Sequence, residues 1–171
     1  VFKVYSTFSG RRFSTDLETA KENGFAEKKI PYNSMFRYFQ KKELTPLLAN
    51  IVSITSLPLR TVEHNFAIDS TGFGISRYVT YFDFKHKKDR RSKIWRKCHA
   101  VCGTKTNIIT SVDITEGHVS DQKYFIPLAK DTARNFEIRD FCADKGYLSS
   151  SHFKTIAELG GTAYIPFKKD T

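Results

Sequence analysis

Two aspartates occupy matching surroundings in this chain. Asp69 closes the apolar run Phe66-Ala67-Ile68 and leads into Ser70, Thr71 and Gly72. Asp144 closes Phe141-Cys142-Ala143 and leads into Lys145, Gly146 and Tyr147. A short apolar run that ends on a carboxylate and a glycine-containing turn reads as a buried strand delivering a charged group to its end. In an α/β sheet, ligand sites collect at such ends. If the two strands are neighbours, their carboxylates repel, and a shared proton or a cation relieves the repulsion. Hard oxygen donors select Mg²⁺ or Mn²⁺. Two such ions about 3.5–4 Å apart can activate a water or a 3′-hydroxyl and stabilise the leaving oxygen of a phosphodiester. The plainer role for an aspartate after a strand is to cap its turn, for Asp69 through Ser70 or Thr71. Taken singly, either aspartate fits that role better. The pairing, the order of elements and the basic charge favour chemistry.

The charge points the same way. Among 171 residues, 28 Lys and Arg outweigh 18 Asp and Glu, for a net charge of +10 and a pI near 9.5. Such a balance suits a polyanion, nucleic acid first and an anionic membrane second. The excess is concentrated in KHKKDRRSKIWRK, from Lys85 to Lys97, with eight Lys or Arg and one Asp. Lys85, Lys87, Lys88, Arg90, Arg91 and Lys93 supply phosphate contacts in this reading. Trp95, Arg96 and Lys97 follow, with Trp95 available to stack on a base. The run lies between the first two strands, so it is expected to reach DNA beside the metal pair. The bland alternative for any charge run is a solvated loop.

Other classes are disfavoured. The three cysteines, Cys98, Cys102 and Cys142, form no even framework, which argues against a disulfide-stapled secreted domain. Cys98 and Cys102 would share a face of a strand. With His99 and His118 they match no common zinc spacing, so reduced, partly buried thiols are expected. No apolar run approaches the ~18 residues of a membrane span. The start lacks a signal-peptide pattern and an initiator Met. Both ends read as cuts, so the chain reads as a fragment.

The elements that position these residues fall into two parts. Residues 1–64 read as a helical N-terminal region. Ser14 or Thr15 is the expected N-cap of a helix that stops at Gly24. Met35, Phe36, Tyr38 and Phe39 mark a second helix, and Thr45-Pro46 opens a third with Leu47, Leu48, Ile51, Val52 and Ile54 at helical spacing. Three such helices around a small core suit a helix-turn-helix-like DNA-binding unit or a packing subdomain equally. From residue 65 the period changes. Strands are expected at NFAID, KCHAVCG, NIITSVDIT, IRDFCAD and TAYIPF. Helices are expected at SDQKYFIPLAKDTAR and SSSHFKTIAELGG, and TKT is a hairpin-sized link. That order predicts an α/β domain over 65–171, a mixed sheet with helices on its faces.

The segments FAIDSTGFG, WRKCHAVCGTKTNIITSVDITEGHVSDQKYF and FCADKGYLSS closely resemble the catalytic core of DDE transposases of bacterial and archaeal insertion sequences. The resemblance runs over residues 66–167, and the upstream helices also look like this group. It implies an RNase H-like fold and Mg²⁺- or Mn²⁺-dependent cleavage and joining of DNA strands at transposon ends. It also implies DNA as partner (transposon ends and target), a possible homodimer, and a cytoplasmic, nucleoid-associated location without a membrane. Asp69 matches the first acidic residue of the family and Asp144 the second, as catalytic residues and metal ligands. The third, a Glu on a helix after the fifth strand, has no match up to Thr171. Glu158 lies on the preceding helix and Asp170 has no helix after it. The fragment is therefore expected to bind metal weakly and to be poorly active alone.

Two other functions fit the same residues: a DNA-binding protein that keeps the fold without the metal chemistry, and another RNase H-like nuclease. Among secondary candidates, Ser120 or Asp121 reads as a helix N-cap and His118 as a loop residue. Gly146 serves the turn after Asp144, and Lys145 is placed to approach a phosphate. Lys97 and His99 share one strand face, functional or solvent-facing.

Overall fold

Helices give way to strands near residue 65, as the change of period requires. The computed structural model describes residues 9–74 and 95–167. Three helices come first: α1 (Gly10–Glu22), α2 (Tyr32–Phe39) and α3 (Leu44–Ser56). Then follow β1 (Asn65–Gly74), β2 (Trp95–Gly103), β3 (Ile109–Glu116), α4 (Gln122–Ala133), β4 (Asp140–Ala143), α5 (Ser150–Glu158) and β5 (Thr162–Tyr164). The chain divides into two compact units, Val1–Leu48 and Ala49–Thr171.

In the first unit, α1 starts earlier than its sequence suggests. The N-cap is Ser9, whose side chain accepts from the Arg12 N–H at 3.3 Å, and Ser14 and Thr15 lie inside the helix. The expected stop holds: Gly24 takes φ +76°, and the Phe25 N–H reaches back to the Ala20 carbonyl. Phe13 of α1 is buried, at 3% exposure. No residue of α2 is buried, and in α3 only Ser56 is. The helices are short, and the rings of Tyr32, Phe36 and Phe39 pack edge-on along α2 itself, with centroids 6.4 and 6.5 Å apart. Leu47, Leu48, Ile51 and Ile54 of α3 stay 41–55% exposed.

The second unit holds a five-stranded sheet in the order β3-β2-β1-β4-β5. β1, β2 and β3 are antiparallel, while β4 and β5 run parallel to β1. α4 and α5 make the crossovers before β4 and β5. This is the helix-flanked mixed sheet expected of an RNase H-like core. Strand alternation sorts the two faces. Phe66, Ile68 and Val101 point to one face and are buried with Phe125, Leu128, Phe141, Tyr147 and Ile156. Phe125 centres this layer, 5.2 Å from the Phe141 ring and stacked on His152 at 4.1 Å. On the other face Ala67, Cys98, Ala100, Cys102 and Cys142 are each only half-buried.

Asp69 does not end its strand. β1 continues through Gly74, and its pairing with β2 runs from Phe66↔Gly103 to Gly74↔Trp95. The glycines that read as a turn serve a strand instead. A Cβ at Gly72 would stand 3.3 Å from the Trp95 ring, so the bare backbone gives that ring its seat. β4 does end where expected, at Ala143. The β1–β2 ribbon thus outruns β4, and Asp69 is level with the point where β4 stops.

Candidate active site

The parallel register of β1 and β4 ends with Ile68 opposite Ala143. One residue further, Asp69 on β1 and Asp144, the first residue past β4, follow strands that lie about 4.8 Å apart. Both side chains are exposed. Each carboxylate is already oriented by a local N–H: Asp69 Oδ1 accepts from Ser70 N at 2.7 Å, and Asp144 Oδ1 from Gly146 N at 2.8 Å. Glycine at 146 permits the second bond, because a Cβ there would stand 2.9 Å from Asp144 Oδ1. Among the described residues, Oδ2 of neither aspartate accepts a hydrogen bond. The turn is anchored from the neighbouring helix, where Gln122 Nε2 donates to the Gly146 carbonyl at 2.9 Å.

Behind this pair, on the helix-covered face, lies a polar cluster that sequence reasoning did not assemble. His99 is fully buried, its ring stacked on Tyr124 at 4.4 Å, and its Nε2 is 2.9 Å from Thr115 Oγ1. Its Nδ1 stands 3.6 Å from Asp121 Oδ1. The same oxygen takes the Lys97 ammonium at 2.9 Å, and Lys97 also donates to the Val119 carbonyl at 3.1 Å. Burial lowers the His99 pKa, and the Asp121 charge opposes this only in part, so the imidazole is held neutral. The shared face of Lys97 and His99 is therefore the packed face, not a solvent face. Asp121 stands at the α4 N-cap position without a side-chain capping bond, its oxygen turned to the Lys97 ammonium and the His99 ring instead.

Tyr147 completes the cluster. It is 2% exposed, with its ring against Phe125. Burial, and then the charges of Asp121, Asp69 and Asp144, drive its pKa far up, so the phenol keeps its proton. No sequence signal marks it, because a tyrosine three residues past an aspartate has no fixed orientation until the turn is folded.

The nucleic-acid candidates divide. Lys85, Lys87, Lys88, Arg90, Arg91 and Lys93 lie outside the described residues. Trp95 is 44% exposed. The Arg96 side chain is exposed too, its guanidinium 3.3 Å from Glu116. Lys97 is half-buried and engaged with Asp121. His118 is exposed beside Glu116, and Lys145 is exposed next to Asp144.

As a cation site, the aspartate pair offers hard oxygens in the right register, with one oxygen of each not yet bonded. Among the described residues, no group of three or more His, Cys, Asp or Glu is arranged to hold a metal. The cysteines are not alternative ligands. All three are free, and burial raises each thiol above its ordinary pKa, helped by Asp113 at Cys98, Glu63 at Cys102 and Asp140 at Cys142. No helix among the described residues is long and apolar enough to cross a membrane.

Comparison with known proteins adds two findings. A family model described as the transposase DDE domain matches residues 62–171. Among solved structures, the chain is similar to a piggyBac transposase in a synaptic complex with hairpin DNA, with a TM-score of 0.46 and 13% identity. That match covers 91% of this chain and 38% of the other, so this chain spans well under half of that protein's length.

Proposed function

The chain belongs to the family of DDE-domain transposases, and on that premise we propose that residues 65–171 carry part of a metal-dependent site for cleaving and joining DNA strands at insertion-sequence ends. The family generally uses divalent metal. Asp69 and Asp144 are assigned as catalytic carboxylates and as ligands of Mg²⁺ or Mn²⁺. The observation that carries this is the parallel β1–β4 register, which brings the two aspartates side by side with unbonded oxygens. A bound metal would activate the attacking oxygen and stabilise the leaving one.

The chain's own part is to orient those carboxylates and to hold the nucleic acid. The N–H groups of Ser70 and Gly146 fix one oxygen of each aspartate, which leaves the other for the ion. The basic segment from Lys85 to Lys93 supplies contacts to the phosphates of transposon-end and target DNA, with the exposed Trp95 ring for stacking and Arg96 for phosphate, while Lys97 is held by Asp121. Action on paired transposon ends suits a homodimer, and such DNA places the protein at the nucleoid.

Calorimetric titration of Mn²⁺ tests this. The native chain is expected to bind, and Asp69→Asn and Asp144→Asn are expected to lose binding while staying folded. Identical titrations for all three would refute the metal pair. A DNA-binding role without metal chemistry draws support from the net charge of +10 and the basic run alone. It requires instead that both variants keep full DNA affinity and that no metal-dependent cleavage occurs.

A further inference from the structure

Among the described residues, three buried side-chain polar atoms find no hydrogen-bond partner: His64 Nδ1, His99 Nδ1 and Tyr147 Oη. The two histidine nitrogens each face a carboxylate, Glu137 at 3.7 Å and Asp121 at 3.6 Å. Tyr147 Oη faces no such single partner. A buried hydroxyl left unpaired is destabilising, so a retained one calls for an explanation.

Its position supplies one. The backbone N–H of Tyr147 donates to the Asp144 carbonyl at 3.1 Å, which roots the residue in the Asp144 turn. The ring passes through the core beside Phe125. Its oxygen lies near the Ser70 side chain, in a geometry too poor to count as a hydrogen bond. Ser70 follows Asp69 directly, and the Ser70 N–H holds Asp69 Oδ1. Alternation along β1 turns the Ser70 side chain to the helix-covered face while Asp69 points to the other. Tyr147 therefore spans from one aspartate-bearing segment to the other, behind the pair.

We infer that Tyr147 is a positioning residue for the cation site: rooted in the Asp144 turn and with its phenol beside Ser70, it sets the separation of the two carboxylates that would hold the ion. This rests on the aspartate pair as a metal site. Tyr147 touches neither metal nor DNA; it acts through Ser70 and the Asp144 turn.

The test is an Mn²⁺ titration by calorimetry of the whole chain, with thermal melts in the absence of metal. It compares the native protein, Tyr147→Phe, Ser70→Ala and Asp69→Asn. Tyr147→Phe keeps the ring and removes only the oxygen. It is expected to bind Mn²⁺ roughly tenfold more weakly, the scale of losses for groups that orient metal ligands, with an unchanged or higher metal-free melting temperature. Ser70→Ala is expected to show the same weakening from the β1 side, and it decides the matter if Tyr147→Phe does not fold. Native affinity in both variants, with Asp69→Asn losing binding, overturns the positioning role and leaves the metal pair standing. Absence of binding by the native chain overturns the metal pair, and the positioning role with it.

Discussion

Glu63 and Asp69 stand at the two ends of one short stretch of chain and carry the same functional group. Glu63 is 1% exposed. Its Oε2 accepts from Thr106 N and Thr106 Oγ1, both at 2.8 Å, and from Lys105 N at 3.1 Å. Its Oε1 accepts from Asn65 N at 3.3 Å. It closes the β2–β3 hairpin from below, so tightly that a Cβ on Gly103 would stand 2.5 Å from Glu63 Cγ. Asp69 is exposed and accepts one bond, from the N–H of its own neighbour. The contrast teaches how to read a carboxylate. One saturated by donors is a structural latch. One left with open acceptors beside a second carboxylate is the kind we propose as a cation site.

The largest break in this contrast comes from exchanging the carboxylates for amides. Glu63→Gln sets an NH₂ group against donors that need an acceptor, and is expected to lower unfolding stability by about 2 kcal/mol in denaturant melts, leaving Mn²⁺ binding unaffected where the fold persists. Asp69→Asn should do the reverse: stability within about 0.5 kcal/mol of native, and metal binding lost. Equal stability losses in the two variants would erase the distinction.

Acid sharpens the comparison on a smaller scale. Burial alone would raise the Glu63 pKa. The hydrogen bonds from Thr106, Asn65 and Lys105 overturn that, and the net shift is downward from the ordinary 4.5. A depressed folded-state pKa contributes stability above the unfolded value that is lost as pH falls through the folded one. Native protein should therefore lose stability more steeply than Glu63→Gln below about pH 4.5. Parallel acid profiles for the two proteins would refute the latch.

The smallest effect concerns a neighbouring pair of cations. Arg96 is exposed, while Lys97 is tied to Asp121 and Val119. Arg96→Ala is expected to lower the slope of log affinity for duplex DNA against log salt by about 0.9, one phosphate contact, and Arg91→Ala or Lys93→Ala likewise. Lys97→Ala should leave that slope in place. A slope that no arginine or lysine substitution moves would remove the basic run from the DNA contacts.

Much of the strand-bearing unit was legible from its residues. The apolar runs around Phe66 and Phe141, the β-branched stretch before Glu116 and the Gly160 stop of α5 each depend on local propensity, and each element appears where its pattern lies. Errors came where a distant partner overrode a local signal. Gly72 reads as a turn but underlies Trp95 in a continuing strand. Ser14 and Thr15 are a different case: they read as caps, but Ser9, an equally local signal, takes the role. Lys97 and His99 were rightly placed on one face, but burial of that face depended on α4 crossing above it.

The sequence by itself determined the helix-to-strand change, the alternation that separates the sheet's two faces, and the matching contexts of Asp69 and Asp144, because all three are properties of neighbours along the chain. Only the tertiary structure decided that β1 and β4 run parallel in a register that sets those aspartates side by side. It alone turned Glu63 into a saturated latch, and it alone carried the Tyr147 oxygen behind the pair. Each of these depends on contacts between segments far apart in sequence, and a donor or a charge acquires its role only when the fold supplies, or withholds, its partner.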